Sequence, residues 1–390
     1  MANYASPGVY VEQTPSSVMP IEGAGTSTAG FIGIYKNDPP GPDGKPLVAP
    51  TGAVLCTHFT EFKSLFGDFS NEGGHSNLAH AVYGFFNNGG TRCYVARAKN
   101  VADVKEVLER FEAIGEISMV AAPGATDATT QESLISHCEN MKERIALIDG
   151  PRETAPGNLN KEATPPDSPP LSKRSSYAAC YYPWLQVFDP ATQDDPLTKG
   201  LKYVPPVGHV AGIYARVDAT RGVHKAPANE PVRGALDVRW PISTSLQDGL
   251  NPEGINCIRD LDGTIKVWGA RTRADSSEAD FRYVNVRRLF CYLRDSIDGG
   301  LQWAVFEPNN PELWARITRN TRAFLTQVWS TGALFGATPE EAFYVKCDAE
   351  NNPPAERDVG RVITEIGVAI TRPAEFVIFK IGQWSGPTSQ

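Results

Sequence analysis

At 390 residues, with 41% hydrophobic and 21% charged side chains, the chain has the balance of a folded soluble protein and the length for two or three cores. Its formal net charge of −8 argues against a nucleic-acid binder, because counterion release from a polyanion needs a strongly basic surface. The seven cysteines form no C-x-x-C pair and mostly sit among apolar neighbours, as in Val54-Leu55-Cys56, which reads as buried thiols in a reducing compartment rather than zinc or disulfide chemistry.

The N-terminus carries no basic stretch followed by an apolar core, and no apolar run approaches the ~18 residues of a membrane span. Synthesis in the cytoplasm, without a signal peptide or membrane insertion, is expected. Residues 1 to about 25 read as an arm, with a short strand over Pro7, Gly8, Val9, Tyr10 and Val11 followed by a Gly/Ala/Thr stretch. Fifteen extended residues reach roughly 50 Å, far enough to cross to a neighbouring subunit.

Phe31 to Tyr35 is the first core strand, and a Pro/Gly turn cluster at Pro39 to Pro46 separates it from a strand near Ala53 to His58. Leu78, Val82, Phe85 and Phe86 share a helical face that closes at Asn87-Asn88-Gly89-Gly90. Strands at Arg92 to Arg97, Ile117 to Ala121 and Arg144 to Asp149 alternate with helices at Val101 to Ile114 and Thr130 to Glu143, the spacing of βαβ units in a largely parallel sheet. The Pro-rich segment Pro151 to Lys173 reads as a surface excursion. An aromatic strand over Ala178 to Phe188 and a helix over Pro206 to Thr220, entered through Pro205-Pro206 and left at Gly222, follow it.

Beyond about residue 250 the texture changes. Ile255 to Arg259 and Ile265 to Trp268 flank Asp262-Gly263, a strong hairpin signal. A helix over Tyr283 to Ile297 is expected to stop at Asp298-Gly299-Gly300, and Trp303 to Glu307 reads as a strand. The next helix is the best specified: Asn309 or Asn310 caps it, Pro311 fills its first turn and Leu313, Ile317, Phe324 and Val328 form its apolar stripe. Arg316, Arg319 and Arg322 lie opposite that stripe, as a solvated face or as a contact for an acidic partner, a role that suits Arg better than Lys. Strands over Phe343 to Cys347 and Val362 to Ile370 precede the last one, Arg372 to Ile381. Within it Pro373, Ala374 and Glu375 lead into Phe376, Val377, Ile378 and Phe379, apolar without interruption, so both faces call for burial close to a chain end. A terminal strand of that kind is a template for pairing with another chain.

Catalytic signatures are weak. Gly41 to Pro46 fails as a phosphate loop, with Pro46 where Ser or Thr would bind magnesium, and neither a G-x-S-x-G elbow nor a G-x-G-x-x-G turn after a strand occurs. Asp149 at the carboxyl end of a strand, with His209, Asp218 and His224 farther on, leaves an α/β hydrolase or nucleotide-binding enzyme as the alternative reading. No catalytic residue, cofactor or metal is assigned, since no nucleophile has the local context that activation requires.

Four motifs, in order along the chain, carry a resemblance. Ser6-Pro7-Gly8-Val9-Tyr10-Val11-Glu12, the Pro205 to Arg216 run with Asp218 and Gly222 to Asn229, Trp303 to Asn309, and Arg372 to Phe376 are similar to those of contractile tail sheath proteins of bacteriophages, R-type pyocins and contractile injection systems. The resemblance implies a multidomain α/β and α+β protein. Its inner α+β domain would be built from residues 1–25 and 250–390, with residues 26–249 inserted as an outer α/β region and Pro151 to Lys173 as a variable outer loop. It further implies a non-enzymatic structural subunit, hexameric rings stacked helically around an inner tube protein, baseplate and terminator partners, and contraction from a metastable extended state. On that reading Arg316, Arg319 and Arg322 are the candidate tube-facing residues, and both chain ends pair with neighbouring copies. Assembly in the bacterial cytoplasm, as part of a phage virion or injection particle released by lysis, would follow. A static shell or adhesin subunit is the third reading, distinguished by a single helical state.

Overall fold

The computed structural model of the protein describes residues 20–39, 52–159 and 173–378. The strand expected over Pro7–Val11, the turn residues from 40 onward, most of the Pro-rich excursion and Phe379 lie outside them. The chain divides into two compact units: a body of residues 24–295 with the segment after 369, and a smaller unit of residues 296–369 with the chain before 24.

The body is built on strands β1 (Ala29–Ile34), β2 (Val54–Cys56), β3 (Cys93–Ala98), β4 (Met119–Ala121), β5 (Ile145–Asp149) and β6 (Ala178–Tyr182). Next come β7 (Leu185–Phe188), β8 (Leu201–Val204), β9 (Glu230–Pro231), β10 (Asp237–Val238), β11 (Ile255–Leu261) and β12 (Thr264–Val267). Nine of these form one sheet in the order β2-β3-β1-β4-β5-β6-β11-β12-β9, parallel from β3 to β11 with antiparallel strands at both margins. The other three make a separate antiparallel sheet, β10-β7-β8. The single strand expected over Ala178 to Phe188 is therefore two. Pro183, which has no N–H to give a ladder, stands between a strand of the large sheet and one of the small.

Helices α1 (Phe59–Phe66), α2 (Gly73–Asn87), α3 (Val104–Glu112), α4 (Ala128–Met141), α5 (Val207–Arg221) and α6 (Thr244–Leu250) belong to the body. The period-two alternation of the strands decides which helices they meet. Phe31, Val95, Met119, Ala121, Ile145 and Leu147 pack with Leu78, Val82 and Phe85 of α2 and with Val210, Ile213 and Tyr214 of α5. Their sequence neighbours Ile32, Ala96, Val120, Ala146 and Ile148 face Val107, Leu108 and Phe111 of α3 and Leu134, Ile135 and Cys138 of α4. Helices cover both faces, which is why these strands read as continuous apolar runs.

The crossing of α2 and α5 is tight. A Cβ on Gly208 would stand 2.3 Å from the Ala81 Cα, and one on Gly212 would stand 2.3 Å from the Phe85 carbonyl oxygen. The Val-Gly-His-Val-Ala-Gly run thus owes its glycines to helix packing rather than to a ligand loop. Arg144, fully buried, donates to the carbonyls of Phe111 at 2.9 Å and Ile114 at 3.1 Å and so satisfies the open end of α3.

The hairpin expected at Asp262-Gly263 joins β11 to β12, both turn residues taking positive φ. Because β11 pairs in parallel with β6, residues from 250 to 295 pack with the body, and the compact units part at 295/296.

Helix α7 (Val284–Leu301) runs through Gly299-Gly300, where the sequence suggested a stop. Ile21 explains Gly300: a Cβ there would lie 2.6 Å from its Cγ2. In the smaller unit, residues 302–304 form a turn of 3-10 helix and Phe306 takes φ 67°, so the strand expected over Trp303 to Glu307 does not form. Helix α8 (Pro311–Ser330) starts as expected, with the Asn310 side chain accepting from the Leu313 N–H and Leu313, Ile317, Phe324 and Val328 buried. Two short helices, α9 (Pro339–Ala342) and α10 (Pro354–Asp358), accompany strands β13 (Phe343–Lys346) and β14 (Glu365–Val368), which pair antiparallel with each other. No helix among the described residues is long and apolar enough to cross a membrane.

Candidate functional site

Asp149 and Asp218, two of the residues that suggested an enzyme site, are engaged by backbone N–H donors and by an arginine. Asp149 is buried and accepts from the backbone N–H groups of Gly124 at 2.9 Å and Val207 at 3.2 Å, tying the turn after β4 to the first turn of α5. Burial pushes its carboxyl up to about 7, against the opposing pull of those two hydrogen bonds. His209 packs its ring on Gly84, and its Nδ1 makes no hydrogen bond. Burial, with His80 nearby, drives its pKa down to about 3, so the ring is neutral. Among the described residues no group of three or more His, Cys, Asp or Glu side chains is arranged to hold a metal ion. The seven cysteines are all buried thiols.

Asp218 meets an arginine instead of a histidine. Arg288 donates to both of its carboxylate oxygens, at 2.8 and 2.6 Å, and to the Thr26 carbonyl at 2.8 Å, while the Thr26 hydroxyl donates to Asp218 at 2.7 Å. The guanidinium also lies over the Tyr214 ring, 4.6 Å from its centroid. This buried fork pins the point where the N-terminal stretch joins the body. Nothing in the sequence announced that Asp218 and Arg288, seventy positions apart, would pair.

Of the three arginines on α8, Arg316 lies over the Trp303 ring at 4.3 Å and reaches Glu307 at 3.5 Å, and Arg322 reaches Glu340 at 3.4 Å. Arg319 is exposed. The sequence placed all three on one surface, and the structure turns two of them toward partners of their own unit.

The C-terminal segment is held and then let go. The Glu375 carboxylate accepts from Arg271 Nε at 2.9 Å and Nη2 at 2.8 Å, from Asn251 Nδ2 at 2.8 Å and from the Tyr283 hydroxyl at 2.9 Å. Burial alone would raise its pKa, but the hydrogen bonds from Arg271, Asn251 and Tyr283 more than reverse that and hold it below the ordinary glutamate value. The next three residues, Phe376, Val377 and Ile378, are 71%, 71% and 79% exposed and pair with no strand among the described residues. Their apolar run marked an edge in need of a partner. The socket that Arg271, Asn251 and Tyr283 make for Glu375 carries no local signal.

In the smaller unit β13 and β14 each have only the other as strand partner among the described residues, and Phe335 and Tyr344, the latter within β13, are 73% and 51% exposed. A two-stranded sheet of this length is marginal by itself. Exposed backbone edges and exposed apolar side chains are surfaces for other polypeptide, not for a small substrate.

Comparison with known proteins agrees. Residues 99–273 match the family model of the phage tail sheath protein central domain, and residues 276–383 that of the phage tail sheath C-terminal domain. The tail sheath protein of Burkholderia phage BcepMu is 26% identical over 262 residues, covering 64% of this chain and 52% of that protein. That of Enterobacteria phage T4 is 24% identical over 266 residues, 65% of this chain and 38% of that protein. The chain thus spans about half, or less, of these relatives. The sheath of the extracellular contractile injection system PVC, solved in its contracted state, superposes with a TM-score of 0.79 at 28% identity, covering 99% of both chains. The contracted helical sheath of the anti-feeding prophage superposes at 0.74 with 29% identity, covering 97% of this chain and 99% of that one.

Proposed function

This chain belongs to the phage tail sheath family, and from that premise we propose that it is the structural subunit of a contractile sheath. Copies of it stack as hexameric rings around an inner tube, joined to a baseplate at one end and a terminator at the other, and contraction from a metastable extended state drives the tube through a target envelope. The observation that carries this reading is the end-to-end superposition on a contracted injection-system sheath, at 28% identity and with 99% of both chains covered. The work comes from repacking between subunits, not from a bound nucleotide. Head-to-tail contacts that do not close on themselves generate a helix, and a kinetically trapped lattice stores the free energy that a second lattice releases.

In this reading residues 1–25 and 250–390 make the inner sheath domain and residues 26–249 the inserted outer region. The ends link the copies: Pro7–Val11 and Pro373–Phe379 pair as strands with sheet edges of adjacent subunits. The exposure of Phe376, Val377 and Ile378 and the open edges of β13 and β14 support that arrangement. The subunit is made and assembled in the bacterial cytoplasm and leaves, if it leaves, by lysis as part of a particle. Electron microscopy of the purified chain with and without its tube protein tests the proposal. Two tubular lattices that differ in ring rotation are expected, and a product that stays monomeric, or shows one lattice under every condition, overturns it. Removing residues 1–15 is expected to leave a folded subunit that forms no filaments.

A further inference from the structure

Thr371, Pro373 and Glu375 are half-buried and Arg372 and Ala374 exposed, the alternation of an extended segment lying across a surface. Only one of the half-buried residues is charged, and it meets a built receptor. Arg271 is itself fixed at the backbone: the buried Asn256 side chain accepts from its N–H at 2.7 Å and donates to its carbonyl at 2.7 Å. Its guanidinium also donates to the Asn251 carbonyl at 3.2 Å, which leaves Nε and Nη2 aimed together as a fork. Tyr283 is bridged to Arg271 through the backbone and comes just before α7. The side chains of Arg271 and Glu375 retain 12% and 19% of their exposure. Farther back, Arg372 pairs with Asp280 at 2.9 Å. Beyond Glu375 the segment turns solvent-exposed at once.

We propose that the Arg271–Asn251–Tyr283 socket and Glu375 form the pivot that positions the C-terminal strand for assembly, fixing where and in which direction Phe376, Val377 and Ile378 leave the body. The inference rests on the reading that this strand pairs with an adjacent copy. A carboxylate gripped by a two-pronged guanidinium, an amide and a phenol is fixed in translation and in rotation. The apolar run is therefore presented extended and in register before any neighbour arrives, and less ordering entropy opposes pairing. Glu375 is a positioning residue, since it touches no other copy in this arrangement.

The experiment uses the full chain carrying Ile378→Cys, labelled at that exposed position while the seven native thiols stay buried. Glu375→Ala is expected to leave the thermal midpoint of the soluble subunit within about 2 °C, to lower the label's anisotropy, and to raise the concentration needed for filaments about tenfold, ~1.4 kcal/mol. Arg271→Lys, which keeps the charge but loses the fork, should raise that concentration about threefold. The double variant Arg271→Ala, Glu375→Ala should assemble no worse than either single change, because both remove the same interaction. A parallel chain ending at residue 375 separates the two ideas. Parental assembly by Glu375→Ala while the truncated chain fails overturns the pivot and leaves strand pairing standing. Parental assembly by both overturns both.

Discussion

In the body, every strand of the large sheet except β2 and β9 is hydrogen-bonded on both sides, and the central strands β3, β1, β4, β5 and β6 are buried on both faces; in the smaller unit, β13 and β14 have only each other among the described residues. The difference separates two uses of the same backbone chemistry. A strand with both neighbours and both faces satisfied contributes to the stability of its own chain. A strand with one neighbour and exposed aromatic side chains contributes little until another chain completes it. On the proposed reading, folding and assembly fall to different residues.

The largest predicted effect breaks the body while sparing the exposed strand. Phe85 is fully buried, with its ring 5.5 Å from that of Phe31 in an edge-on arrangement. Phe85→Ala should cost about 4 kcal/mol, a fall of roughly 10 °C in the unfolding midpoint by calorimetry. Phe376→Ala, at an equally aromatic position, should move that midpoint by less than ~1 °C and instead suppress filament formation. A fall of similar size in both would mean that the C-terminal strand is a core element of its own subunit.

How much of this division could be read from the residues follows from how local each cause is. The stripe of α8 and its Asn310 cap involve neighbours within a few positions, and both are found where expected. The hairpin at Asp262-Gly263 is equally local, but its destination is not. The sequence does not say that β11 will lie beside β6. Gly299-Gly300 looked like a helix stop because a free glycine pair destabilises a helix. Ile21, far away in the chain, packs where a side chain would have been. Trp303 to Phe306 has strand-forming residues, yet Trp303 is held against Arg316 and the chain turns at Phe306. The Glu375 socket and the Arg288–Asp218 fork each join residues many positions apart, and no periodicity or motif encodes such a meeting.

A second, smaller effect sharpens the comparison through pH. The body buries Asp149 with only backbone donors, and its carboxyl is pushed up to about 7, above the unfolded value of about 3.9. The folded chain therefore keeps a proton that the unfolded chain has already released. The stability this group contributes is complete below about pH 4 and fades as pH rises through about 7, with a slope of at most ~1.4 kcal/mol per pH unit. Denaturant titrations of the parent and of Asp149→Asn between pH 4 and 8 should differ in slope with that sign. The asparagine keeps one acceptor for the Gly124 and Val207 N–H groups and has nothing to titrate. Parallel pH profiles would remove Asp149 from this role.

The smallest effect on folding belongs to one of the three arginines offered as candidates for the tube-facing surface. Arg316 and Arg322 have Glu307 and Glu340 within reach, and Arg316 covers Trp303 as well, so changing either disturbs its own unit. Arg319 is exposed between them on the helix surface, and a surface substitution of this kind moves stability by less than ~0.5 kcal/mol. Arg319→Glu should unfold with the parental midpoint and still form sheath lattices from isolated subunits, because those depend on sheet edges. Its co-assembly with tube protein should weaken several-fold, and more so at low ionic strength, where an exposed charge acts over a longer range. Undiminished recruitment to the tube at low salt would show that α8 turns another face toward it. The open edges of β13 and β14 would then remain as the part of the smaller unit that is built for a partner.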